Sequence, residues 1–176
     1  LQETLTLSPS STKSWYHNSF PGGFLDHSIR VVQYGLKMTK VFKEMGGSID
    51  YTPEELVFVS LFHGIGKITD GEKDNLLPQT DKWRKEKLQE NYTSNPNSDF
   101  MYTPDRSLYV LQQYGIKLSK KEYLGIRLSD GMYSESNKGY FQSYTQSNIL
   151  KSNLINILHT SSLLSSKVEY DKQNKG

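Results

Sequence analysis

The sequence predicts a single, mostly helical domain: an all-α fold of five or more helices joined by long loops. Three observations carry this. Thr52-Pro53-Glu54-Glu55 and Ser119-Lys120-Lys121-Glu122 are capping boxes. In each, a hydroxyl accepts from the backbone N–H three residues on, and the glutamate returns the bond. Leu25, Ile29, Val32, Leu36 and Val41 recur at roughly helical spacing. No stretch alternates apolar and polar residues as a half-buried strand would.

Residues 1–14 are polar and rich in Ser and Thr, which predicts an extended N-terminal arm. Trp15 to Gly23 is a turn-rich lead-in to a long helix from about Phe24 to Met45, which Gly46-Gly47 ends. The helix opened by Thr52 has Pro53 at its first position. Its body, Leu56 to Phe62, is apolar nearly all round and is therefore expected to be buried. It ends near His63-Gly64-Ile65-Gly66-Lys67. Residues 69–99 carry Gly71, Pro78, Pro96 and several Asn, which predicts a long irregular insert with a short helix at 81–91. Segments of this length often serve as lids. Thr103-Pro104-Asp105 opens another helix ending near Gly115, and the helix after Ser119 runs to about Leu128. Residues 129–146 read as loop, the last helix is expected from about Ser147 to Val168, and 171–176 as a frayed tail. The globular domain is placed at 15–170.

Composition narrows the function classes. The 176 residues fit one domain and suffice for a core. With no cysteine, disulfides, thiolate metal sites and thiol nucleophiles are excluded. The formal charge of +2 is too small to point to nucleic acid by itself. No apolar run approaches a membrane span, so no membrane partner is expected. The first residues have neither the basic nor the apolar region of a signal peptide, so the expected location is the cytoplasm. The 12 Tyr, 7 Phe and 2 Trp argue for a folded chain. Gly64-Ile65-Gly66-Lys67 lacks the spacing of a phosphate-binding loop.

Only His17, His27, His63 and His159 offer imidazoles. His27 falls in the first turn of the first long helix, and His63 ends the most apolar one. An imidazole at the end of a buried helix needs a polar partner, because an unpaired polar group costs roughly 1–3 kcal/mol. A metal, or a carboxylate that once served one, would supply it. Lys67 follows this helix end; it is a candidate to meet a phosphate oxygen, and an ordinary surface lysine explains it equally well. Lys82-Trp83-Arg84-Lys85-Glu86-Lys87 mixes base with an aromatic ring, as single-strand binders do, but a solvated amphipathic helix face explains it more simply. Tyr123, Tyr133 and Tyr140 are candidates for stacking on a base or for packing.

Four segments carry a resemblance to a known family. Tyr16-His17-Asn18-Ser19-Phe20-Pro21-Gly22-Gly23-Phe24-Leu25-Asp26-His27 is similar to the "HHxxPGGLLEH" motif of HD-domain phosphohydrolases. Leu61 to Lys67 resembles "LLHDIGK", Leu128 to Tyr133 resembles "LHDGLY", and Leu158 to Ser166 resembles "LHxADLLAS". The likeness spans about residues 15–169. It is nearest the branch of YhaM-type 3′–5′ exoribonucleases and small tailed-phage HD proteins, where a phage protein would work in the host cytoplasm. It implies an HD-domain helical bundle holding one or two divalent metals of the Mn, Mg, Fe or Zn type, acting on nucleotide or nucleic-acid phosphoesters. Carried over, the metal ligands are His27 and His63. Three ligand positions are lost: the pair's Asp is Gly64, a later His is Ser129, and the closing Asp is Ser162. Lys67 and Asp130 are the candidate catalytic residues, and His17, Lys67, Arg84 and Tyr133 the candidate substrate contacts. Asp26, Asp130 and His159 remain as further potential donors. Glycine offers no ligand and a hydroxyl is a poor one. The chain is therefore expected to be inactive or weakly active, with a nucleotide- or RNA-binding module, or an interaction adaptor using the insert, as the alternatives. The losses fall on chemistry while glycines, caps and apolar positions survive. Retention of the fold for another use and deliberate replacement both account for that.

Overall fold

A computed structural model describes residues 2–142, 145–146 and 149–175. The elements are α1 (Gln2–Leu7), α2 (Gly23–Glu44), α3 (Pro53–Phe62), β1 (Leu76–Pro78), α4 (Lys82–Lys87), β2 (Tyr92–Ser94), α5 (Thr103–Gln113), α6 (Lys120–Arg127), α7 (Lys138–Phe141) and α8 (Leu154–Lys175), with single 3-10 turns at Ile65–Lys67, Gly131–Tyr133 and Glu135–Asn137. The chain is predominantly helical, and no helix is long and apolar enough to cross a membrane.

The two long helices, α2 and α8, pack along each other, and α3 lies against both. One core cluster joins Val31, Leu56, Val59, Leu111, Ile126, Leu154 and Leu158. A second, of Phe24, Ile65, Ile68 and Val110, forms where the turn after α3 meets α5. Both predicted capping boxes are present. Thr52 accepts from Glu55 N, Ser119 accepts from Glu122 N, and each glutamate bonds back. Gly46, at φ 92°, ends α2 as expected.

The structure corrects several expectations. Ile29, Leu36 and Val41 lie outward, about half exposed. The buried face of α2 is Phe24, His27, Ser28, Val31 and Gly35, with Met38 and Phe42 against the core. Gly35 lets Leu56 approach to where a Cβ would sit, 3.2 Å from its methyl group. The arm is not extended: residues 2–7 are helical, and Leu5 packs on the second cluster. The insert holds an antiparallel strand pair, Leu76 opposite Ser94 and Pro78 opposite Tyr92, which the sequence reading did not foresee. Its short helix is α4. The arm pins this insert, since Thr12 O accepts from the N–H groups of Asn91 (2.9 Å) and Tyr92 (3.2 Å), and Ser14 N donates to Gln89 O (2.8 Å). The last helix begins at Leu154 and runs on to Lys175; its expected start at Ser147 lies outside the described residues. The frayed tail is thus helical up to Lys175, held by a Lys175–Asp171 ion pair (2.7 Å) and by Asn174 donating to Trp15 O (2.9 Å).

Candidate functional site

Gly22, at φ 84°, and Asn18, at φ 47°, turn the chain into α2. A Cβ on Gly23 would stand 2.1 Å from Asn18 O, so only glycine permits this approach. The turn brings His17 beside His27. At the far end of α3, Gly66 presses on α5: its Cβ would lie 2.6 Å from Ser107 N and from Thr103 O. Ser107 Oγ accepts from Gly66 N (2.9 Å) and can donate to His63 O (2.9 Å). This locks the segment carrying His63 and Lys67.

His27 and His63 come together, ring centroids 5.9 Å apart. Both line a small cavity of about 40 Å³, along with Gly64, Lys67, Ser129, Asp130 and Ser162. Every position assigned to a retained or lost metal ligand therefore borders one space. His63 Nδ1 donates to Ser60 O (3.0 Å), so its Nε2 carries the lone pair, and that nitrogen accepts from the Ser162 hydroxyl (3.1 Å). Burial, and then the neighbouring His27, push His63 down to about 3, which keeps it neutral.

Lys67, Ser129, Asp130 and Ser162 also border a second, larger cavity of about 760 Å³. Its wall includes Trp15, Tyr16, His17, Tyr102, Tyr133 and His159. Burial lowers the Lys67 ammonium, against the pull of Asp130 and Glu169. His159 Nδ1 donates to Ser129 O (2.8 Å), and its ring sits against Gly131, where a Cβ would fall 2.4 Å from Nε2. Tyr133 is 79% exposed at this wall, 6.0 Å from the His159 ring.

The residue missed from sequence is Glu169. It is buried on α8 and receives an Nδ1–H bond from His17 on Oε2 (3.1 Å), a shared Nδ1–H bond from His27 on Oε2 (3.0 Å) and Oε1 (3.1 Å), and one from Arg30 Nε on Oε1 (3.1 Å). Arg30 also pairs with Asp26 (2.9 Å), which Asn18 holds from the other side (2.8 Å). Burial alone would raise the Glu169 carboxyl, but the bonds from His17 and His27 bring it down to about 2. Burial lowers His17, outweighing its bond to Glu169. The donor atoms of His17, His27 and Glu169 all lie within 4.8 Å of one another and could hold a metal ion. A signal existed in the sequence. Leu154, Leu158, Ser161, Ser165 and Glu169 share one face of α8, so a glutamate stands on an otherwise buried stripe.

Other expectations are corrected. Arg84 borders neither cavity; it sits in α4, which Asp81 caps by accepting from Arg84 N, and pairs with Glu90 (2.9 Å) inside the insert. Among the described residues, nothing from 69–99 lines either cavity; the insert is bonded to the arm and, through Asn75, to Gly66 O (2.9 Å), and does not form a lid over the site. Tyr123 and Tyr140 border neither cavity. The chain matches no protein-family model, no curated protein and no solved structure.

Proposed function

We propose that this chain is an HD-superfamily phosphohydrolase-like protein whose hydrolytic centre is impaired. One observation carries the reading. His27 on α2, His63 and Gly64 after α3, Ser129 after α6, and Ser162 on α8 come from four separate segments and border the same cavity of about 40 Å³. Those are the five positions the resemblance assigns to ligands. Motif likeness alone does not require them to converge.

The divalent ion of such enzymes does not fit the residues now present there. Two imidazoles remain, and His63 Nε2 is engaged by Ser162. No carboxylate stands at Gly64 or Ser129 to bridge or neutralise an ion. A metal in such a centre would acidify water and offset phosphate charge. This chain's own groups supply less: Lys67 is a cation on both cavities, and Asp130 is a carboxylate bordering both.

A second reading is a non-catalytic module for a nucleotide or single-stranded nucleic acid. The larger cavity favours it, because Trp15, Tyr16, Tyr102 and Tyr133 offer ring faces near Lys67. A thermal-shift screen against nucleotides and short oligonucleotides checks it, since a ligand of the folded state raises its apparent stability.

The deciding experiment for the leading reading restores the ligands. Gly64→Asp, Ser129→His and Ser162→Asp together should add at least one divalent ion to whatever the parent binds, and should give Mn²⁺-dependent turnover of a generic phosphodiester or a nucleotide. The parent should show none. The first change asks for a shift of a few tenths of an ångström in the Phe24 ring, since a Cβ at Gly64 meets it at 3.3 Å and nothing else within 4 Å. Gly64→Asp alone should destabilise the fold, as a carboxylate without its ion is a buried unpaired charge. Robust hydrolysis by the parent, or a folded triple variant that gains no ion, would overturn the reading.

A further inference from the structure

We propose that His17, His27 and Glu169 form a binding site for a divalent transition ion of the zinc type, held through Nδ1 of the two rings and the Glu169 carboxylate. The proposal uses only this cluster's geometry and does not depend on the family reading.

The donor set is of the right kind. Two imidazoles and one carboxylate are ligands that zinc takes, and a fourth position can be filled by water. The spacing is nearly right as it stands. Metal–ligand bonds of roughly 2.0–2.2 Å place neighbouring donors of a tetrahedral shell about 3.3 Å apart. The two Nδ1 atoms lie 3.1 and 3.0 Å from Glu169 Oε2, and the two rings are 5.4 Å apart. All the donor atoms lie within 4.8 Å of one another, so replacing two shared protons by one ion asks only for the two rings to draw together around Oε2.

The surroundings also suit an ion. The three side chains are nearly inaccessible and come from three parts of the chain: the lead-in loop, α2 and α8. Arg30 Nε donates to Oε1, an oxygen that His27 Nδ1 also reaches (3.1 Å), and so fixes the carboxylate as an outer-sphere partner does in established metal sites. Asp26 and Glu169 bring two negative charges against the single positive charge of Arg30, so with neutral rings the group carries a net negative charge. Binding requires no deprotonation of a neutral ring, because each Nδ1 proton can move to Nε2 as the ring changes tautomer. His17 also borders the large cavity, which gives an ion and its water a route.

The test uses the whole chain. The purified protein is loaded with Zn²⁺, desalted and assayed for metal, and in parallel titrated with Co²⁺. One equivalent of Zn²⁺ is expected, with Co²⁺ giving the visible bands of a four- or five-coordinate nitrogen-ligated site. His63→Ala should bind as the parent does. His17→Ala and Glu169→Gln should each bind at least about tenfold more weakly, a loss that even outer partners of metal ligands can produce. Zn²⁺ should raise the melting temperature of the parent and of His63→Ala but not of the other two. If His17→Ala or Glu169→Gln fails to fold, the parent's Co²⁺ spectrum and the His63→Ala variant decide. A parent that holds no Zn²⁺, an octahedral Co²⁺ spectrum, or equal loss in His63→Ala overturns the site.

Discussion

At the scale of single residues, the buried histidines set the acid stability. In the folded chain His63 is held down to about 3, against 6.5 when unfolded. As pH falls below 6.5 the unfolded chain takes up a proton that the folded chain refuses. Stability present above 6.5 is therefore lost on the way to about 3. By linkage, His63 alone should remove about 2 kcal/mol between pH 7 and pH 5. His17 is shifted in the same direction and adds to the loss. Glu169 acts lower, since its carboxyl is depressed; its contribution is present above the ordinary carboxylate range and fades as pH drops toward about 2. Urea titrations at pH 7 and pH 5 should show the loss, and His63→Gln should shrink it. An equal pH dependence in parent and variant would refute the assignment. The histidines were legible in the sequence because imidazoles are scarce and each stands beside a glycine-marked turn or a helix end. Glu169 was not, because a glutamate late in a helix is ordinarily solvated, and only its place on the buried stripe of α8 separates it from its exposed neighbours.

At the scale of elements, two kinds of small residue do different work. Gly66 lies where a Cβ would strike backbone of α5, whereas Gly46 has nothing within 4 Å and only its positive φ to protect. Gly66→Ala should therefore cost several kcal/mol by chemical denaturation and Gly46→Ala about 1 kcal/mol. Ser161 and Ser165 are fully buried on α8, and their hydroxyls have no hydrogen-bond partner among the described residues. An unsatisfied buried hydroxyl is a penalty, so Ser161→Ala and Ser165→Ala should each stabilise by about 1 kcal/mol, seen as higher denaturation midpoints. Helices with local start signals were readable: Thr52 and Ser119 fix α3 and α6 through bonds that span three residues. The strand pair was not, because each strand has three residues and β1 ends in Pro78, so pairing rests on partners up to 18 positions away. The face of α2 was misjudged for a related reason. Spacing reveals a stripe, but which stripe is buried depends on where α3 and α8 lie.

At the scale of the molecule, the arm and the insert stabilise each other. Thr12 and Ser14 bond to Gln89, Asn91 and Tyr92, and Asn91 Nδ2 donates to Ser19 O (3.1 Å). Deleting residues 2–14 should lower the melting temperature by roughly 5 °C or more, since each 1 kcal/mol moves a domain of this size about 2–4 °C. It should also open residues 69–99 to limited proteolysis, whereas the intact chain should resist cleavage there. Equal protease resistance in both would show that the insert holds itself.

The carboxylate shared by His17 and His27 has a further consequence, in time. Glu169 is 152 residues beyond His17 and 142 beyond His27. At synthesis rates of roughly 5–20 residues per second, a ribosome needs about 7–30 s to cover that distance. For most of that interval the nascent chain has α2 but not α8, and Val31, whose core cluster includes Leu154, Ile157 and Leu158 of α8, is on display to whatever waits at the exit tunnel.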